Sequence, residues 1–362
     1  MTILNKIRFP FPEDKLFSVI FLLVVFVPLA FAPGLTDPYE GLKFSLYSVF
    51  LGVAFILLII KNKTVQINYK LTFALLAFLL WSIISTFFSL DPLTSLIETN
   101  LRFTSSVYFY GLWIFSIFVF WQSLSDEKTT FLLKSLVAAS IAIAALEILQ
   151  SFGIAHYEGI NAGIRPIIPS FLGNPNFSSM FIVTLLPVAV IFGFQSRFKL
   201  SRFYYIIATI FIIWGVGLSS SRGSMLALAV ELVLLAVLAI FQSRKLLIPV
   251  LAASLAAGLL FFGFYSTYRP DSTGQTFALS ERTISSRFVA WDNMITIISN
   301  YPVSGTGPGN LIMAYHLVSP SAFAAEQVFD DAHNIFLHLA AVGGLPLFIL
   351  FLGIAYIFSL CC

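Results

Sequence analysis

Residues 203–242 read FYYIIATIFIIWGVGLSSSRGSMLALAVELVLLAVLAIFQ: two apolar runs, 203–219 and 223–242, parted only by Ser220, Ser221 and Arg222. Each run has the roughly 20 residues needed to cross a bilayer's hydrocarbon core. In hydrocarbon a segment must be helical to satisfy its own backbone. The stretch therefore predicts two membrane helices joined by a turn too short to carry Arg222 far into water. Similar runs recur near 16–33, 42–60, 71–90, 103–121, 130–151, 177–195, 246–265 and 345–360. The expected fold is an all-α membrane protein of about ten transmembrane helices. Composition agrees, with 59% hydrophobic and 10% charged residues in 362 and a mean hydropathy of +0.94. Soluble domains carry about a quarter charged residues, so lipid must solvate most of this chain. The net charge of +3 is small and its basic residues are dispersed, which excludes nucleic acid as a partner.

Charge also sets the expected orientation. With a cytoplasmic N-terminus, thirteen of the 20 basic residues lie inside and seven outside, most of the inside ones in short loops. That is the bias of the positive-inside rule. Nine of the ten lysines fall inside, whereas six of the seven outside cations are arginines. Arginine's planar fork binds phosphate bidentately and lysine's ammonium does not. Lys6, Arg8 and Lys15 precede the first run, and Ala30-Phe31-Ala32 has the look of a signal cleavage site. Pro33 and the many later spans favour a first membrane span there. Cys361 and Cys362, the only cysteines, form no disulfide framework or zinc spacing.

The outer segments carry the polar chemistry. Asn174-Pro175-Asn176 opens the sixth span and Ser221-Arg222-Gly223 the eighth, so two positive helix ends face outward. A helix N-terminus beside an arginine is a ready anion site. The long outer loop, 266–332, contains Ile284, Phe288, Trp291, Ile295 and Ile298 at helical spacing, a predicted amphipathic helix on the membrane surface. Arg287 and Trp291 are neighbours on it, four residues apart. Gly305-Thr306-Gly307-Pro308-Gly309 lacks the spacing and the βαβ context of a dinucleotide loop and reads as a glycine turn. His333 follows Asp330 and Asp331 and precedes Asn334 at the start of an apolar run, which suits a general base oriented by a carboxylate. His156, His316 and His338 read as structural; His338, five residues after His333, would point elsewhere on a continuous helix.

The order of these motifs resembles the bacterial O-antigen ligase and O-antigen polymerase superfamily of polytopic glycosyltransferases. The resemblance runs over about residues 170–350, on Gly173–Asn176, Ser221–Gly223, Arg287 with Trp291, Pro302 with Gly305–Gly309, and Ala332–Asn334 with Gly343-Gly344. It divides the chain into N-terminal transmembrane helices (1–170) and a ligase-like region (171–362) that includes the outer loop. It implies metal-independent, cofactor-free transfer of a glycan from undecaprenyl diphosphate, at the periplasmic or exterior face of the inner (plasma) membrane. The acceptor hydroxyl would belong first to a lipid A-core sugar, otherwise to a second lipid-linked glycan or a protein. His333 resembles the family's base, and Arg222 and Arg287 its diphosphate-holding cations. Asn174, Asn176, Ser221, Trp291, Asp331 and Asn334 would support them. The chain stops at Cys362, where members usually continue through further spans. A different reading is a transporter or flippase built on the intramembrane carboxylates Glu147 and Glu231, the latter nearer mid-span. The two halves offer no matching pair of broken helices in sequence to support it.

Overall fold

The computed structural model describes residues 13–35, 37–61, 68–98, 105–154, 170–219, 221–242, 245, 247–267, 281–318 and 331–361. Arg222 and Arg287 are described by their backbone alone, and His156 and the loop stretches 268–280 and 319–330 lie outside the described residues. Every described element is a helix. Seven helices are long and apolar enough to cross a membrane, and three shorter apolar ones cover the remaining sequence runs. The chain is a polytopic all-α membrane protein.

Two compact units interleave along the chain. The first holds residues 1–57 and 123–269, the second 58–122 and 270–362. In the first, α1 (Lys15–Phe21) continues through a π-helical and a 3₁₀ turn to Leu29, where Pro28 cannot supply a backbone donor. α2 (Glu40–Lys61) follows, then α6 (Asp126–Ser151), α7 (Pro175–Val183), α8 (Leu186–Gln195), α9 (Lys199–Ser219), α10 (Arg222–Gln242) and α11 (Leu247–Thr267). Asp14 caps α1 by accepting from Phe17 N at 3.2 Å and pairs with Lys128 Nζ of α6 at 2.7 Å. The span expected over 177–195 is interrupted: α7 stops at Val183 and α8 restarts before Pro187, whose ring and missing N–H cannot continue a helix.

The core of this unit joins α6, α7, α8 and α9 through Ile143, Ala144, Ile182, Leu186, Ala208 and Ile212, all buried. Lipid tails are as apolar as leucine, so close packing of small residues, rather than escape from water, holds such helices together. Gly215 is the tightest point. A Cβ there would lie 2.6 Å from Glu147 Oε2, 2.7 Å from Ile182 Cδ1 and 3.1 Å from Ala144 Cβ.

The second unit contains α3 (Tyr69–Phe87), α4 (Pro92–Ile97), α5 (Val107–Ser123), α12 (Glu281–Asn300), α13 (Leu311–Val318) and α14 (Ile335–Cys361). Phe78, Met294, Ile297, Tyr315, Val342 and Leu347 form its core. α12 is the helix expected in the outer loop, but it packs with a different stripe. Ala290, Met294 and Ile297 are fully buried, while Phe288 and Ile295 stay 61% and 54% exposed. The apolar positions therefore cover two neighbouring faces: one packs inside the unit, while Phe288 and Ile295 on the other stay exposed, as an amphipathic helix on a membrane surface requires.

α14 begins at Ile335 rather than near 345 and breaks at Gly344 (φ 73°, ψ 177°), just before Pro346. The break is plugged by the glycine turn. Thr306 N donates to Ala341 O at 3.0 Å, Gly307 N to Val342 O at 2.9 Å, and Leu345 N to Pro302 O at 2.9 Å. Trp81 Nε1 donates to Gly343 O at 2.8 Å and Ser85 Oγ to Ser304 O at 2.6 Å. Gly305 (φ 65°) runs against the backbone of Val342, Gly343 and Gly344, leaving no room for a side chain.

Gly215→Ala should destabilise the detergent-solubilised protein by about 1–3 kcal/mol through overpacking. Gly217→Ala, whose Cβ meets nothing within 4 Å, should be neutral or slightly stabilising. Thermal melts of the two variants check the contrast.

Candidate functional site

In the first unit, two helix starts are tied together by serines. Asn174 caps α7, its Oδ1 accepting from Asn176 N at 2.9 Å. Asn176 itself is exposed. Ahead of this cap, Lys43 Nζ donates to Phe171 O at 2.6 Å and lies 5.3 Å from the Tyr39 ring centroid. Gly173 (φ 76°) is pressed against that same tyrosine. Ser221 caps α10, its Oγ accepting from Ser224 N at 3.5 Å and from Ser224 Oγ at 3.2 Å, while Ser224 Oγ lies 2.8 Å from Ser179 Oγ of α7. Arg222 is the first residue of α10. The N-termini of α7 and α10 thus sit side by side, with their positive dipole ends in one place. Such a pair can hold an anion.

Among the described residues, two carboxyl groups, Glu147 and Glu231, lie in the interior of this unit's spans, beyond their first turns. Glu147 is fully buried beside Ser178, whereas Glu231 is only partly buried, with Oε2 enclosed. Glu147, not Glu231, is the more deeply enclosed.

The second unit gathers the remaining residues. His333 is exposed and has a left-handed backbone (φ 49°). Non-glycine residues adopt that conformation rarely, and it persists where the surroundings enforce it. Three contacts enforce it here. Asp331 Oδ1 accepts from His333 N at 3.1 Å. Trp291 Nε1 donates to Ala332 O at 3.0 Å. Asn334 caps α14 through Oδ1, accepting from Phe336 N at 3.0 Å and Leu337 N at 3.3 Å. His333 is therefore outside the helix, at the foot of α14. Trp291 joins α12 to the peptide next to it, and Arg287 sits one turn back along α12.

Asp331 does more than steady that loop. Its Oδ1 lies 3.3 Å from His338 Nδ1, and this imidazole holds the Asp331 carboxyl down at about 2 despite partial burial. His338 Nε2 lies 3.0 Å from Ser105 Oγ, and Ser105 N donates to Glu98 Oε2 at 2.8 Å. A polar chain thus runs Glu98–Ser105–His338–Asp331–His333.

Reading α14 as continuous from His333 made His338 look unrelated. With His333 off the helix, Asp331 touches the backbone of one histidine and the ring of the other. Sequence reasoning missed Glu98, Ser105 and any link to His338. A histidine inside an apolar span was the available signal, because such groups need partners. Among the described residues, no three His, Cys, Asp or Glu side chains gather as a metal site.

Residues 207–352 match the family model described as O-Antigen ligase. The match begins in α9 and ends in α14, so it takes in Ser221, Arg222, Arg287, Trp291, Asp331, His333 and Asn334. Asn174 and Asn176 precede it. No curated protein and no solved structure matches the chain. Over residues 207–352 the chain is thus similar to the O-antigen ligase family.

Proposed function

We propose that the protein transfers a glycan from undecaprenyl diphosphate to an acceptor hydroxyl, without a metal, at the exterior face of the inner membrane. The N-terminus is cytoplasmic in this reading, as the lysine distribution supports. The observation that carries it is the Trp291–Ala332 hydrogen bond, which brings the helix bearing Arg287 to the peptide beside an exposed, conformationally constrained His333.

In the proposed reaction the His333 imidazole takes the proton of the acceptor hydroxyl. The oxygen attacks the anomeric carbon, and the bond from that carbon to the diphosphate breaks. Negative charge grows on the departing undecaprenyl diphosphate. Arg287, and Arg222 at the first residue of α10, are the proposed cations for that charge, reinforced by the helix N-termini of α7 and α10. The proton leaves His333 for water after product release. Asp331 and Trp291 act as positioning residues: one holds the His333 N–H, the other the preceding carbonyl. The acceptor is a lipid A-core sugar in the leading reading, and a second lipid-linked glycan or a protein hydroxyl in its variants.

The transporter reading draws on the interrupted helices α7–α8 and α14, since broken spans are common at transport sites. Its weakness is that the carbonyls released at Gly344 already accept from Thr306, Gly307 and Trp81. An ion would find them occupied.

His333→Ala should lower transfer by roughly 10²–10⁴-fold, the usual worth of a general base, with unchanged membrane abundance; full retained activity rejects the base role. Arg222→Lys and Arg287→Lys should each lose about 10²-fold, because an ammonium does not replace a bidentate fork. Wild-type rates in either would remove that arginine from the mechanism. Trp291→Phe keeps the ring and loses the N–H, and should cost about threefold to tenfold in transfer. An unchanged rate there would mean that the indole does not position His333.

A further inference from the structure

A cavity of about 550 Å³ lies in the first unit between α8, α9 and α11 and is lined by none of the motif residues above. One stripe of α9 lines it, from Arg202 through Ile206 and Thr209 to Ile213, at the spacing of a single helical face. The opposite walls are low because their residues are small: Ala189 and Gly193 on α8, Ala252 and Ala253 on α11. Among the described residues, the charged ones on its wall are Arg202 and Lys245, with no acidic counterpart. Both lie at the end where α8 stops and α9 and α11 start, so the cavity is an apolar slot with a cationic mouth.

The slot's depth is informative. Eleven residues of α9 separate Arg202 from Ile213, a rise of roughly 17 Å, about the depth of one leaflet of a ~30 Å hydrocarbon core. Arg202 donates from Nη2 to Ser196 O at 3.0 Å, which fixes the guanidinium at the mouth while leaving most of its five donors for another acceptor. The same helix ends carry Arg197 and Lys199, and the positive-inside rule assigns this end to the cytoplasmic leaflet.

We propose that the cavity binds an anionic glycerophospholipid of the cytoplasmic leaflet, with its phosphate between Arg202 and Lys245 and an acyl chain along α9 toward Ile213. A zwitterionic lipid fits the apolar slot equally well, but it brings an ammonium to two cations. Charge at the mouth therefore selects the headgroup, and basic pockets between membrane helices recognise anionic lipids in this way.

The test is native mass spectrometry of the full chain, released from detergent after addition of phosphatidylglycerol and phosphatidylcholine in equal amounts. The expected result is a retained phosphatidylglycerol adduct favoured roughly tenfold or more. That preference should vanish in the Arg202→Gln/Lys245→Gln double variant. Ala252→Phe, placed on an exposed wall to fill the slot, should reduce retention of both lipids. Equal retention of the two lipids by the wild type, or an undiminished preference in the double variant, overturns the proposal. Glycan transfer plays no part in this readout, so the lipid site and the proposed activity fail independently.

Discussion

A backbone carbonyl inside a bilayer has no water to turn to, and the second unit is organised around that constraint. α14 breaks at Gly344, which would strand the carbonyls of Ala341, Val342 and Gly343. Thr306, Gly307 and Trp81 take them up, and Leu345 returns a donor to Pro302. The glycine turn of 302–309 is thus a plug fitted to a broken helix, and its glycines are needed because backbone meets backbone there. Phosphate binding is not needed to explain those glycines.

The plug has a consequence for chemistry. It fixes the segment from Ile335 to Gly343 as a short helical piece anchored at its far end. At the near end, Asn334 caps it and His333 turns away in a left-handed conformation. Asp331 spans the junction, its Oδ1 alone reaching both the His333 amide and the His338 ring. Because His338 keeps the Asp331 carboxyl ionised down to about 2, the junction holds its negative charge across the physiological range. Below that value protonation would remove one of the contacts that set the His333 backbone. Rigid support from α12 through Trp291 completes an arrangement suited to presenting one imidazole to a bulky, membrane-borne substrate.

The helices were legible from apolar run length, because lipid leaves a segment little choice but to coil. Their interruptions were written less plainly. Pro187 and the Gly343-Gly344-Pro346 cluster signalled breaks, but only the partner loop shows that the broken backbone can be satisfied. The amphipathic helix α12 was legible from spacing, but its second apolar stripe, Ala290, Met294 and Ile297, which packs inside the unit, was not. That helices start beside Asn174–Asn176 and Ser221 followed from local chemistry, although the cap of α7 is Asn174 rather than Asn176 or Ser178. The Glu98–Ser105–His338 chain did not, because it joins residues 233 positions apart (Ser105 and His338) whose meeting depends on tertiary packing. The two interleaved units were equally invisible, since contact rather than chain order defines them.

These pieces describe a membrane body that grips its own irregular backbone so that a few polar groups can stay fixed at helix ends. The central claim is that this apparatus performs group transfer rather than translocation. The most direct measurement is a reconstitution of the purified chain in vesicles with a defined undecaprenyl-diphosphate-linked glycan and a lipid A-core acceptor, following both lipid products by mass spectrometry. The account predicts glycosylated acceptor and released undecaprenyl diphosphate in equal amounts. Donor that crosses the bilayer intact, while candidate acceptors gain no sugar, would contradict it.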